Sequence, residues 1–136
     1  MEFVFSLLSV LHFAAPVGLA AIGEAVGQRS GVINIGLEGM MLVAAFFAML
    51  ASHLTGSPWI GMGAGVTAAL VLGLAQTFFT LWLSADQIVV GTAVNLFALG
   101  LTDNLFRARF GQTGTLISVP TVPKLFGDVD LVVLFM

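Results

Sequence analysis

Residues 30–41 read SGVINIGLEGMM, and how this stretch is read decides the fold. Most of it suits hydrocarbon, yet it carries Asn34 and Glu38 among three glycines, Gly31, Gly36 and Gly39. Asn34 and Glu38 stand four apart, so a continuous helix would set them on one face. The glycines weaken any continuous helix here. Two readings follow. In the first the stretch is a broken helix, whose freed backbone groups a membrane tolerates only against protein or a cavity. Transport proteins bind their substrates at such breaks. In the second, residues 29–38 form a turn at the cytoplasmic interface, and a helix begins near Gly39 with Glu38 favoured by its dipole. For Glu38 alone the turn is the favoured reading; for the glycine-rich stretch as a whole, the structural break.

Composition sets the solvent. Of 136 residues, 59% are hydrophobic and only 8% are charged, and the mean hydropathy is +1.11. A soluble domain carries about a quarter charged residues, so this chain lacks the polar surface to hold a globule in water. It reads as an integral membrane protein. Cysteine is absent, which removes disulfides and thiolate metal sites. A scattered net charge of -3 argues against nucleic acid as a partner. No Lys or Arg precedes the first apolar run, so the basic region of a signal peptide is missing and the run is expected to be a retained helix.

The predicted fold is all-α: a polytopic transmembrane helix bundle of about four complete spans plus the start of a fifth, in a single domain over residues 1–136. The first crossing is expected in the uncharged stretch Phe3–Gly23, which contains Pro16 and Gly18. Uncharged sequence then runs from Gly39 to Ala85, roughly 70 Å as one helix and too long for one crossing. It divides at residues 53–59, HLTGSPW, by turn chemistry. Helix two should end near Leu54, and helix three should run from Trp59 to Leu83. Helix four lies between Asp86 and Asp103. Residues 107–128, with Arg107, Arg109, Lys124, two glycines and two prolines, are expected to be an extramembrane loop. Leu131–Met136 reads as the beginning of a fifth helix, so the chain is expected to be the N-terminal portion of a longer protein.

Several polar residues sit inside the apolar segments. Asn95 and Asp103 are eight apart with Leu99 between them, hence on one helix face. Asn95 stands open between interhelical hydrogen bonding and a substrate path. Thr92 and Thr102 are expected to bond between helices. Asp103 and Arg107, four apart, predict an interfacial ion pair. His12 and His53 have no partner at metal-ligand spacing. Trp59 and Trp82 bracket helix three as interfacial anchors. Gly61, Gly65, Ala69 and Gly73 form a small-residue face for close packing. There is no GxxxxGK[ST] phosphate loop and no nucleophile–base set, so the chain is not expected to be an enzyme.

Two long blocks carry a resemblance. GQRSGVINIGLEGMMLVAAFFA (27–48) and ADQIVVGTAVNLFALGLTDNLFRARFG (85–111) resemble the permease subunits of bacterial ABC importers for nucleosides and simple sugars. These belong to the superfamily of ribose and branched-chain amino-acid permeases. SVPTVPKLFGD (118–128) is similar to the same family. The resemblance implies a subunit of the cell inner (plasma) membrane that lines a translocation path. It pairs with a second permease subunit and a cytoplasmic ATPase, and receives solute from an extracytoplasmic binding protein. ATP would act on the partner, with no cofactor held by this chain. Substrate-path candidates are Asn34, Glu38 and Asn95; Gly31, Gly36 and Gly39 are the helix-break glycines. The basic residues would put Arg107, Arg109 and Lys124 inside. The resemblance puts loop 107–128 outside and the turn at 27–31 in the cytoplasm, and we follow the resemblance. The alternatives are a small oligomeric channel or secondary carrier, and a non-transporting truncated fragment.

Overall fold

The computed structural model describes residues 2–111, 120, 124–126 and 129–130, of which 2–9, 12, 124–126 and 129–130 are described by their backbone. The expected start of a fifth helix at Leu131–Met136 lies outside these residues. The chain divides into two compact units, residues 1–33 with 121–136, and residues 34–120.

In the first unit α1 runs Glu2–Arg29 and takes in Pro16. The expected crossing Phe3–Gly23 lies within it. The helix continues through Glu24, whose Oε1 accepts from Gln28 Nε2 at 3.1 Å, an exposed i,i+4 pair that supports a final turn. It closes where Ser30 N–H and Gly31 N–H donate to the carbonyls of Gly27 and Gln28, with Gly31 at φ 83°, a conformation that favours glycine. The unit also holds a short antiparallel pair, β1 (Lys124–Phe126) and β2 (Val129–Asp130). β1 falls within the expected extramembrane loop 107–128. The pair lies outside the helices, and β2 lies against α1.

The second unit is a three-helix bundle. α2 spans Leu37–Thr55, and α3 spans Pro58–Thr77 and continues as a π-turn over Phe78–Trp82. α4 spans Gln87–Phe110. These three, Leu37–Thr55, Pro58–Trp82 and Gln87–Phe110, are long and apolar enough to cross a membrane. Among the described residues that makes three such helices beside α1, where the sequence predicts about four complete spans.

Turn chemistry divides α2 from α3. Gly56 takes the left-handed conformation at φ 68° and donates its N–H to Ser52 O, and Pro58 opens α3, where its missing N–H is harmless. The predicted small-residue face then packs α3 onto α2. A Cβ on Gly61 would stand 2.7 Å from Ala48 O, and one on Gly65 would stand 2.8 Å from Ala44 O. Gly73 faces the Met40 thioether. Backbones that approach this closely leave room for hydrogen alone, the usual device where hydrocarbon gives no hydrophobic drive. α2 is the central helix: Val43 and Phe46 are buried, with α3 and α4 packed against it.

α4 begins at Asp86, whose Oδ1 accepts from Ile88 N–H at 2.8 Å and Val89 N–H at 3.3 Å, a side-chain cap. The helix passes the point where the loop 107–128 is predicted to start. Arg107–Phe110 are helical, a correction to that boundary. Asp103 pairs with Arg107 at 2.9 Å as predicted, Phe106 packs on Phe110 at 5.2 Å, and together they carry the helix to Gly111 at φ 79°. The threonines of α4 also differ from expectation. Thr92 donates to Ile88 O, and Thr102 to Ala98 O and Leu99 O, within their own helix. A hydroxyl satisfied one turn back has no need of a neighbouring helix.

Candidate functional site: the entry of α2

Residues 30–36 are non-helical, so the glycine-rich stretch is a break, and α2 starts at Leu37. Within the second unit the break is built from Asn34, Ile35 and Gly36. Gly36 is the N-cap of α2 and brings no side-chain oxygen. A helix start leaves four N–H groups without intrahelical partners, and here one is satisfied from another helix. Asn95, on α4, accepts the Gly39 N–H at its Oδ1 at 2.8 Å, and its Nδ2 donates to Ile35 O at 3.0 Å. One amide therefore ties the turn residue Ile35 and the first turn of α2 to α4.

The approach is close on every side. A Cβ on Gly39 would stand 2.8 Å from Asn95 Oδ1 and 3.0 Å from Ala98 Cβ. A Cβ on Gly91 would stand 2.8 Å from Ile35 Cβ and 2.9 Å from Gly36 N. A Cβ on Gly36 would overlap Gln76 Oε1 of α3. Gly36, Gly39, Gly91 and Gln76 are all buried. The entry of α2 is thus wedged between α3 and α4, and glycine is the residue that fits.

The predicted site residues are placed as follows. Asn34 is half-buried, with Nδ2 3.7 Å from Met40 Sδ, against the first turns of α2. Asn95 stands on the other side of the same entry. Glu38 is exposed in the first turn and makes no hydrogen bond or ion pair with any described residue; its charge there favours the helix dipole. Gly36 and Gly39 are at the junction. Gly31 belongs to the other unit, where it terminates α1. Asn95 and Asp103 do not act together: Asp103 is exposed and held by Arg107. His53 is exposed and meets the Phe110 ring edge-on at 5.7 Å. The side chain of His12 lies outside the described residues. Among the described residues no group of His, Asp or Glu is placed to hold a metal ion.

Two buried polar side chains without a partner among the described residues were missed. Gln76 Oε1 and Thr80 Oγ1 are buried on α3 and its π-turn, with no hydrogen-bond partner among the described residues. Gln76 was detectable as an amide inside the long uncharged run, four residues before a threonine. FFTLW (78–82) carries no comparable sign of a π-turn. Gln76 lines a cavity of about 400 Å³ between α3 and α4, with Leu72, Phe79, Val90, Val94 and Phe97.

Comparison with known proteins is consistent with this geometry. The family described as "Branched-chain amino acid transport system / permease component" matches residues 6–135. A putative glucose ABC transporter permease protein of Haloferax volcanii is 37% identical over 103 residues, 75% of this chain and 31% of that protein. A guanosine ABC transporter permease protein of Bacillus subtilis is 35% identical, over 79% of this chain and 35% of its own length. A nucleoside ABC transporter permease protein of Lactococcus lactis is 32% identical, over 76% and 35% respectively. The chain spans about a third of the length of these relatives. No solved structure matches.

Proposed function

Since the chain belongs to the family of branched-chain amino acid transport system permease components, we propose that it forms part of the translocation path of an ATP-binding-cassette importer for nucleosides or simple sugars. The match across residues 6–135 carries this reading. It is supported by relatives named as guanosine, nucleoside and glucose permeases. Three apolar helices of membrane-crossing length suit a multi-pass protein of the plasma membrane.

In this reading the chain is a transport subunit. ATP is hydrolysed on a cytoplasmic ATPase partner, a second permease subunit completes the path, and a binding protein outside delivers the solute. Asn34, Glu38 and Asn95 line or support the path at the entry of α2. Broken helices offer backbone groups to a polar solute. Asn34 adds a donor and an acceptor, and the exposed Glu38 carboxylate requires water or a partner rather than lipid.

The test is uptake of radiolabelled guanosine, other nucleosides and glucose into cells carrying the full-length permease with its ATPase and binding protein. ATP-dependent accumulation of one of these solutes, lost when the permease is deleted, is the expected outcome. Uptake that persists without the ATPase would identify a channel or secondary carrier instead.

A further inference from the structure

The threonines on the described helices share one habit. Thr55, Thr67, Thr77, Thr92 and Thr102 each donate a hydroxyl hydrogen bond to the carbonyl four residues back. Thr80 is the exception. It is 8% exposed and its Oγ1 has no partner among the described residues. It sits in the π-turn Phe78–Trp82. A π-turn widens the backbone and displaces the carbonyl such a hydroxyl uses, and such turns are frequent at functional sites. One turn earlier, Gln76 is 5% exposed and its Oε1 also has no partner among the described residues.

Two buried, unsatisfied polar groups one turn apart are expensive to keep, and burying each without a partner is destabilising. The cost is recovered if a partner arrives from outside. The cavity beside Gln76 is apolar with two aromatic rings, Phe79 and Phe97, and its volume of about 400 Å³ lies in the range of small-molecule sites, ~300–1,000 Å³. The terminal torsion of a glutamine is broad, so rotation of the Gln76 amide presents either its carbonyl or its NH2 to that space.

We propose that Gln76 is a solute-contacting residue of the permease: in the cavity between α3 and α4 the Gln76 amide hydrogen-bonds an uncharged polar solute, through its hydroxyls or amide N–H groups, while Phe79 and Phe97 cover its apolar face. This rests on the permease reading above. It adds a contact on α3 to the candidates at the entry of α2.

The experiment is uptake kinetics in cells carrying the full-length permease and its partners, with Gln76→Met and, as a control at a buried residue outside the cavity lining, Thr80→Val, each normalised to assembled transporter. Met is unbranched and of similar length, and Val keeps the shape of Thr. Loss of one neutral hydrogen bond should raise KM roughly 2- to 10-fold in Gln76→Met and leave it unchanged in Thr80→Val, and the purified variants should melt no lower than wild type. A weakened inhibition by free nucleobase would identify the base as the group bound; a weakened inhibition by ribose or glucose would identify the hydroxyls. An unchanged KM in Gln76→Met, an equal rise in both variants, or uptake that falls only with the amount assembled, overturns the inference. If Gln76→Met fails to assemble, Gln76 serves packing and the inference also falls. Absence of uptake by wild type would instead sink the permease reading itself.

Discussion

Asn95 caps a helix to which it does not belong: its Oδ1 accepts the Gly39 N–H at 2.8 Å, 56 residues away in sequence. Replacing Asn95 with Leu leaves the Gly39 N–H and the Ile35 carbonyl without this partner. The expected loss is about 1–3 kcal/mol of stability, read as a lower melting temperature of the detergent-purified full-length protein. Thr92→Val, whose exposed hydroxyl bonds within its own helix, should lie within about 0.5 kcal/mol of wild type. Equal melting of Asn95→Leu and wild type would show that the clamp contributes nothing.

Glycines on one helix should divide sharply by address. Gly91→Ala drives a methyl to within 2.8 Å of Ile35 Cβ and 2.9 Å of Gly36 N. Because backbone is part of the obstruction, the expected cost is about 1–3 kcal/mol. Gly100 has nothing within 4 Å of its Cβ position, and Gly100→Ala should stabilise by up to about 1 kcal/mol through helix propensity. The melting temperatures of the two variants should therefore move in opposite directions.

The same contrast applies on α3. Gly65→Leu meets Ala44 O and Ala48, while Gly63→Leu enters open space. We expect the first to reduce the amount of folded protein recovered from membranes and the second to leave it near wild type, by fluorescence-detected size-exclusion chromatography. Equal recovery would mean that α2 and α3 tolerate separation.

At the entry of α2, Asn34→Leu should lower nucleoside uptake per assembled transporter while leaving assembly largely intact. Glu38→Gln should be milder than Glu38→Leu, since Gln keeps the hydrogen bonding and loses only charge. Wild-type uptake by both leucine variants would reduce the stretch to an interfacial turn.

Orientation is open to a clean measurement because the chain has no cysteine. With Arg29→Cys and Arg107→Cys in separate proteins, an impermeant maleimide applied to intact cells should label position 107 and spare position 29. The reverse pattern would vindicate the count of basic residues.

The helices were legible because hydrocarbon imposes a simple rule: about 20 apolar residues without charge make a crossing. Gly56 and Pro58 announced the turn between α2 and α3, and Gly61 and Gly65 announced the face that packs there. The C-terminal boundary of α4 was not legible, since Arg107 and Arg109 look like loop by composition, while a local pair with Asp103 keeps them helical. The site was half legible. Asn34, Gly36, Gly39 and Asn95 stood out as polar or small residues in apolar surroundings, and the structure gathers them at one junction. That Asn95 would cap α2 depends on a contact 56 residues distant, which no local pattern encodes. The π-turn depends on one extra residue in a helical turn, and nothing in FFTLW requires it.

The cross-helix cap also sets an order of events in time. Ribosomes add about 5–20 residues per second, so Asn95 emerges roughly 3–11 s after Gly39, given their separation of 56 residues. Throughout that interval the first turn of α2 lacks its partner, and an unsatisfied N–H is poorly tolerated in lipid. The nascent α2 must therefore wait with its N-terminus in water or against the insertion machinery, and it becomes a settled membrane helix only when α4 arrives.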